Sequence, residues 1–337
     1  MNFFEQQRRA RHQTALLIVL MIIAVLCLIA LTSMPFIIGV FDGQHDSEAK
    51  SKALHTTGVV AMIVSGIVLL GSLFKFFQLL GGGKVIAEKL GGRPINDNMR
   101  TPDERRLMNV VEEMALASGV TVPAVYLLPD ETINAFAAGF NPKDAVIGVT
   151  QGAMSLLTRE ELQGVIAHEF SHIYNGDMLL NTRLVATVHG ILVVGLTGAY
   201  LLFGLTKSKK SKKKDDEYFW LLVGMSMGVV LCVAGFIGSF FANVIKAAVS
   251  RQREFLADAS AVQFTRNPQG IAGALKKIGS QGSTLSSPRA KEFSHLYFSA
   301  GSKTFFKSLF ATHPDLSERI RRIDPQWDGQ FTEPPAQ

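Results

Sequence analysis

Cysteine is nearly absent from this chain. Its two residues, Cys27 and Cys232, both lie inside apolar runs, where a thiol is a small packing group. That excludes a disulfide framework and a cysteine-ligated metal site as organising principles, and leaves the redox compartment open. No internal repeat is present, so the chain is no solenoid or array. No small-residue cleavage site closes the first apolar run, which is also too long for the core of a signal peptide. It reads as a retained anchor, although Arg8, Arg9 and Arg11 precede it.

What the chain does have is apolar residues in blocks. They make up 47% of it, and the mean hydropathy is +0.23. Positions 15–40, 57–80, 184–205 and 219–245 are each long enough to cross a bilayer, which takes about 20 residues. The sequence is that of an integral membrane protein whose first partner is lipid. Its net charge of +6 sits mainly beside the apolar blocks, where anionic headgroups explain it better than nucleic acid does. His189, inside the third block, reads as a packed histidine.

Between the second and third blocks the composition becomes that of a globular domain. Gly81, Gly82 and Gly83 open it. Thr101-Pro102-Asp103-Glu104 has the form of a capping box with proline in the first turn. Leu107, Val110, Val111 and Met114 then give a helical stripe ending near Gly119. Strands are expected at 124–128, 134–139 and 145–150, the last two joined by the turn residues Phe140 to Asp144.

A second capping box, Thr158 with Glu161, starts a helix that Leu162, Val165, Ile166 and Ile173 bury and Gly176 ends. It carries His168, Glu169 and His172. A spacing of four stacks the two imidazoles on one face, where they can hold one metal ion. Glu169 beside them is placed to take a proton from metal-bound water. Strands before a metal-binding helix fit a small, mostly helical α+β hydrolase domain. The fourth block has no proline or turn signal before Ser250, so its helix is expected to run on through Asp258.

A hydrolytic zinc site needs three protein ligands and an open position. Glu254 is a candidate third ligand, with Asp258 one turn later placed to accept the free ring N–H of a bound histidine. Read alone, Glu254 fits better as a solvated carboxylate pairing with its neighbouring arginines.

Four ordered motifs decide between these readings. They are His168-Glu169-Phe170-Ser171-His172, Asn134-Ala135-Phe136-Ala137-Ala138-Gly139, Ser250-Arg251 through Asp258, and His313-Pro314 with Arg319-Ile320. Together they resemble the M48 peptidases, integral-membrane zinc proteases of the HtpX and Ste24 type, with the layout nearer the former. The resemblance implies a zincin-like (gluzincin) domain with a small sheet beside four membrane-associated helices, and one Zn2+ per chain held by His168, His172 and Glu254. It further implies Glu169 as general base and acid, Asp258 behind a ligand, His313 at the oxyanion, and Asn134 to Gly139 as the strand that holds substrate backbone.

The expected organisation is a tail and hairpin at 1–83, a discontinuous protease domain at 84–183 and 250–325, an inserted apolar hairpin at 184–249, and a disordered tail at 326–337. The expected activity is cleavage of misfolded or membrane-associated proteins. The alternatives are a Ste24-like processing protease and a non-hydrolytic assembly or chaperone factor. Basic residues around the first two blocks put the catalytic domain on the cytoplasmic side of a bacterial inner membrane. The six lysines within 207–214 conflict with that if the third and fourth blocks both cross.

Overall fold

The computed structural model describes residues 3–42, 47–206, 215–281 and 311–331. The helix expected after Ser287-Pro288 and the lysine-rich stretch 207–214 lie outside them.

In chain order the elements are α1 (Phe3–Asp42), α2 (Ser47–Leu79), α3 (Gly82–Lys89), β1 (Arg93–Pro94), α4 (Pro102–Ser118), β2 (Ala124–Leu128), β3 (Ala135–Ala138) and β4 (Val146–Thr150). There follow α5 (Gln151–Leu156), α6 (Arg159–Asn175), α7 (Asp177–Thr206), α8 (Asp215–Thr265), α9 (Pro268–Gln281) and α10 (Leu316–Ile323). The protein is mostly helical α+β. Among the described residues four helices are long and apolar enough to cross a bilayer, within Phe4–Phe36, Ser47–Leu79, Asp177–Gly204 and Leu221–Thr265.

The chain divides into two compact units. One comprises Leu17–Leu79 and Thr182–Lys246. Its helices approach closely where glycine allows: a Cβ on Gly235 would lie 2.2 Å from the Gly195 nitrogen, and one on Gly198 2.3 Å from the Cys232 nitrogen. This is the small-residue contact that lets membrane helices pack without a hydrophobic drive between them. His189 bonds the Gly71 carbonyl through Nδ1 at 3.2 Å, which ties α7 to α2.

The other unit comprises Met1–Leu16, Leu80–Asn181 and Ala247–Gln337. Its sheet has the order β1-β2-β4-β3. β2 and β4 are parallel, while β1 and β3 run antiparallel to their neighbours. Alternation splits the sheet's side chains between two cores. Val125, Ala135, Ala137, Ile147 and Val149 face the main core of α4, α6, α9 and α10. Tyr126, Leu128, Phe136, Ala138 and Val146 face α3. Gly148 is paired with Phe136, and the Phe136 ring takes the space a Cβ would need, 2.2 Å away.

The α4 cap differs from a full capping box. Thr101 accepts the Glu104 N–H, but the buried Glu104 carboxylate bonds the Arg100 N–H at 2.7 Å and Arg93 at 2.6 Å. The reciprocal bond thus reaches one residue further upstream, because Arg93 on the neighbouring strand draws the carboxylate there.

Two boundaries differ from the expected organisation. Phe3 to Leu16 are helical and belong to the peptidase-bearing unit, with Gln7 bonded to Gln263 at 2.7 Å and to Ser260 at 3.3 Å. A basic tail was expected because the charges conceal buried Ala10 and Thr14. Residues 326–331 are also packed rather than free: Trp327 lies under Arg321, and the Phe331 ring occupies the space beside Gly279. The remainder of that tail lies outside the described residues.

Candidate active site

The site is built on α6. Its capping box is complete, with Thr158 and Glu161 exchanging side-chain and backbone bonds, and Gly176 ends it at φ 68°. Only a residue tolerant of left-handed backbone closes a helix this way. Gly164 lets α9 approach so closely that a Cβ there would stand 2.5 Å from the Ile271 nitrogen. Leu162, Val165, Ile166, Phe170 and Ile173 are buried along the helix, which fixes its rotation and turns His168 and His172 together.

The two imidazoles are edge to face, with ring centroids 4.8 Å apart and Nε2 atoms 3.1 Å apart. Glu254 comes from α8. Its Oε2 is 3.6 Å from His168 Nε2 and its Oε1 is 3.5 Å from His172 Nε2. Among the described residues these three form the cluster of metal-donor atoms. Tetrahedral zinc with bonds of about 2.0–2.1 Å would space its ligand atoms about 3.3–3.4 Å apart. The two nitrogens, 3.1 Å apart, each meet a different Glu254 oxygen at 3.5 to 3.6 Å, close to that spacing. Without a proton or cation between them they would repel.

Behind each imidazole stands an aspartate. His168 Nδ1 meets Asp258 Oδ1 at 2.9 Å, and His172 Nδ1 meets Asp177 Oδ2 at 2.8 Å. Each aspartate is held by an arginine. Arg319, fully buried on α10, donates from Nε to Asp258 Oδ2 at 2.9 Å and from Nη2 to Oδ1 at 2.7 Å. Arg253 grips Asp177 Oδ1 through Nε and Nη2. Both pairs leave each histidine donating from Nδ1 and presenting Nε2 as the free donor atom.

Burial alone would hold the His168 imidazole down in pKa, but its bonds to Asp258 and Glu254 outweigh that and raise it to about 9. His172 is raised in the same way, chiefly by Asp177 acting against burial. Glu169 is 3% exposed. Its burial pushes the carboxyl up, while the nearby histidines draw it back. A carboxyl whose proton affinity is raised in this way is suited to accept and return a proton.

His313 precedes α10, in a segment tied down by the Arg251 bond to the Ala311 carbonyl at 2.9 Å. It is buried, with Nδ1 3.1 Å from Glu254 Oε2, and neither ring nitrogen has a hydrogen-bond partner among the described residues. The expected substrate strand, 134–139, is observed as β3. It is the sheet's edge, paired with β4 and packed on α6. Asn134 stands just before it and covers the Ala135 N–H at 2.9 Å.

A model of peptidase family M48 matches residues 102–326. The chain belongs to peptidase family M48. A protease HtpX homolog from Streptococcus uberis is 34% identical over 266 residues, which are 77% of this chain and 85% of the relative. One from Thermoanaerobacter pseudethanolicus is 37% identical, with 77% and 84% covered. The crystal structure of S. mikatae Ste24p matches at a TM-score of 0.50 and 18% identity, over 92% of this chain and 67% of that one; this likeness is one of fold. Family and apolar helices together describe a membrane-bound protease.

Within this M48 peptidase the structure brings His168, Glu169, Glu254, Asp258 and His313, all buried, together with the partly exposed His172 into one cluster. Sequence reasoning gave no role in the site to Asp177, named Arg253 only as a surface partner of Glu254, and named Arg319 only as part of a family motif. Asp177 had a readable signal, five positions beyond His172 and just past the terminating glycine. Neither arginine's partner was readable, since partners on other elements decide what a guanidinium binds.

Proposed function

We propose that this chain is a zinc endopeptidase, with His168, His172 and Glu254 as metal ligands and Glu169 as general base and acid. The observation that carries the reading is the convergence of two imidazole nitrogens and one carboxylate, each nitrogen within 3.6 Å of a carboxylate oxygen. Zinc bound there would acidify its water and polarise a peptide carbonyl. Glu169, kept proton-hungry by burial, takes the proton of the attacking water and returns it to the leaving amine. His313, whose Nδ1 faces Glu254, carries an Nε2 placed to donate toward the oxygen that gains charge.

Substrate backbone is held by strand addition at β3. Thr150 donates to the Asn134 carbonyl, so by antiparallel alternation Phe136 and Ala138 also bond inward to β4. Ala135 and Ala137 then turn their backbone groups away from the sheet, and Ala137 offers both N–H and C=O to an incoming chain. Glu254 follows the fourth apolar block closely in the sequence, which supports substrates close to the bilayer, misfolded membrane proteins among them. The first basic segments support a cytoplasmic catalytic side in an inner membrane.

The test is zinc content and autolysis of purified protein beside Glu169→Gln. The variant should hold one zinc and lose cleavage by about 100-fold or more. A metal-free wild type, or a fully active variant, would end the assignment.

A further inference from the structure

We propose that Asp177 and Arg253 act together as positioning residues for His172, setting which ring nitrogen carries the proton. The inference rests on the metallopeptidase reading above. Three observations carry it. First, the two oxygens of Asp177 are divided: Arg253 engages Oδ1 with both Nε and Nη2, leaving Oδ2 for His172 Nδ1 at 2.8 Å. Second, Arg253 is itself fixed, because Nη2 also donates to the carbonyl of Asn175 at 3.2 Å, the last residue of α6, where a helix end attracts a cation. Third, all three side chains are largely buried, at 16%, 9% and 13% exposed for His172, Asp177 and Arg253, so water competes little for these bonds.

A carboxylate can only accept, so His172 donates from Nδ1 and, in the neutral ring that binds metal, presents Nε2 unprotonated toward Glu254. The Asp258–Arg319 pair does the same for His168 from other elements. The two imidazoles are therefore set separately, one from α8 and α10, the other from the α6–α7 corner and α8.

This arrangement makes an unusual prediction for Asp177→Asn. The amide has one acceptor oxygen, and Arg253 with its two donors claims it. The amide NH2 then faces His172 Nδ1 and forces the proton onto Nε2, the tautomer that cannot bind metal. Asp177→Asn should therefore bind zinc about 100-fold more weakly, near the upper end for groups behind a metal ligand. Adding Arg253→Met frees the amide to rotate and offer its oxygen to His172. The double variant should recover about tenfold in affinity, a non-additive rescue.

The experiment is chelator-competition titration of zinc into full-length, detergent-purified protein, all in a Glu169→Gln background to prevent autolysis. Visible spectra of the cobalt-loaded variants report the coordination independently. A pair that merely staples α6 to α8 predicts that the two substitutions add, and additive loss would overturn the proposal, as would unchanged affinity in Asp177→Asn. If Asp177→Asn does not fold, Asp177→Ala serves: it offers Nδ1 neither an acceptor nor a donor and should weaken zinc binding about tenfold, because only the asparagine variant imposes the wrong tautomer, and unchanged affinity there would also overturn the proposal. A loss there as deep as that predicted for Asp177→Asn would overturn the proposal. Glu254→Ala is the control: if it loses zinc while Asp177→Asn does not, only this inference fails, whereas if it binds normally the metal site itself is misassigned.

Discussion

Arg319 closes on Asp258 as a fork, two nitrogens on two oxygens at 2.9 and 2.7 Å, with no part of the guanidinium open to solvent. The same side chain brings Nη1 to 3.3 Å from Glu254 Oε2. Arg319 therefore offsets two buried carboxylates at once, and Asp258 in turn orients His168.

Removing one partner of a buried charge pair costs about 3–5 kcal/mol, because the other is left uncompensated. Arg319→Met should lower the thermal midpoint strongly and weaken zinc binding. Arg319→Lys should not rescue it, since a point charge cannot span both oxygens of Asp258. Thermal unfolding in detergent with and without zinc checks both. A lysine variant matching wild type would show that charge alone suffices.

The metal itself should stabilise the fold. His168, His172 and Glu254 come from two helices whose donor atoms repel when nothing lies between them, and a ligand that binds only the folded state raises its stability by mass action. Chelation should lower the thermal midpoint of wild type and zinc should restore it. Glu254→Ala, lacking the third donor, should respond to neither. An equal response in both proteins would point to another metal site.

A pH effect is predicted away from the metal. The Arg100 backbone N–H, aided by Arg93 and opposed by burial, holds the Glu104 carboxyl below its ordinary value of 4.5. A group depressed on folding stabilises the fold above its unfolded pKa, and that contribution is lost as pH falls through the folded value. Glu104→Gln should thus cost about 1–3 kcal/mol at neutral pH, and the gap to wild type should narrow as pH drops below 4.5. A gap that stays constant would mean the carboxylate's charge has no part in it.

Much of this was legible in the residues, and the pattern of what was not is physical. The caps at Thr101 and Thr158, the stops at Gly119 and Gly176 and the strands β2 to β4 follow from local chemistry, which neighbouring residues determine. The His168–His172 pairing is local too, being one turn of helix. Glu254 needed the family resemblance, because a carboxylate 82 positions downstream of His172 signals nothing by itself. Asp177, Arg253 and Arg319 act through partners on other elements. The docking of Gln7 on α8 was hidden likewise, since a polar residue in a charged segment reads as solvated until its partner is seen.

Ala137 offers a direct test of strand addition. It lies on the sheet's edge, opposite Ile147, at a position where alternation turns its N–H and C=O away from β4. Proline there removes no bond of the existing ladder, which is why edge strands tolerate it. It does remove the donor an incoming peptide would use. Ala137→Pro should therefore keep zinc content and hold its thermal midpoint within a few degrees, while KM for a peptide substrate rises about tenfold or more, the worth of roughly one charge-free hydrogen bond plus lost register. Ala138→Pro provides the contrast. Its N–H faces β4, so proline should break the ladder and destabilise the fold before substrate binding is reached. If Ala137→Pro bound and cleaved peptide as wild type does, the substrate would have to lie elsewhere than along β3.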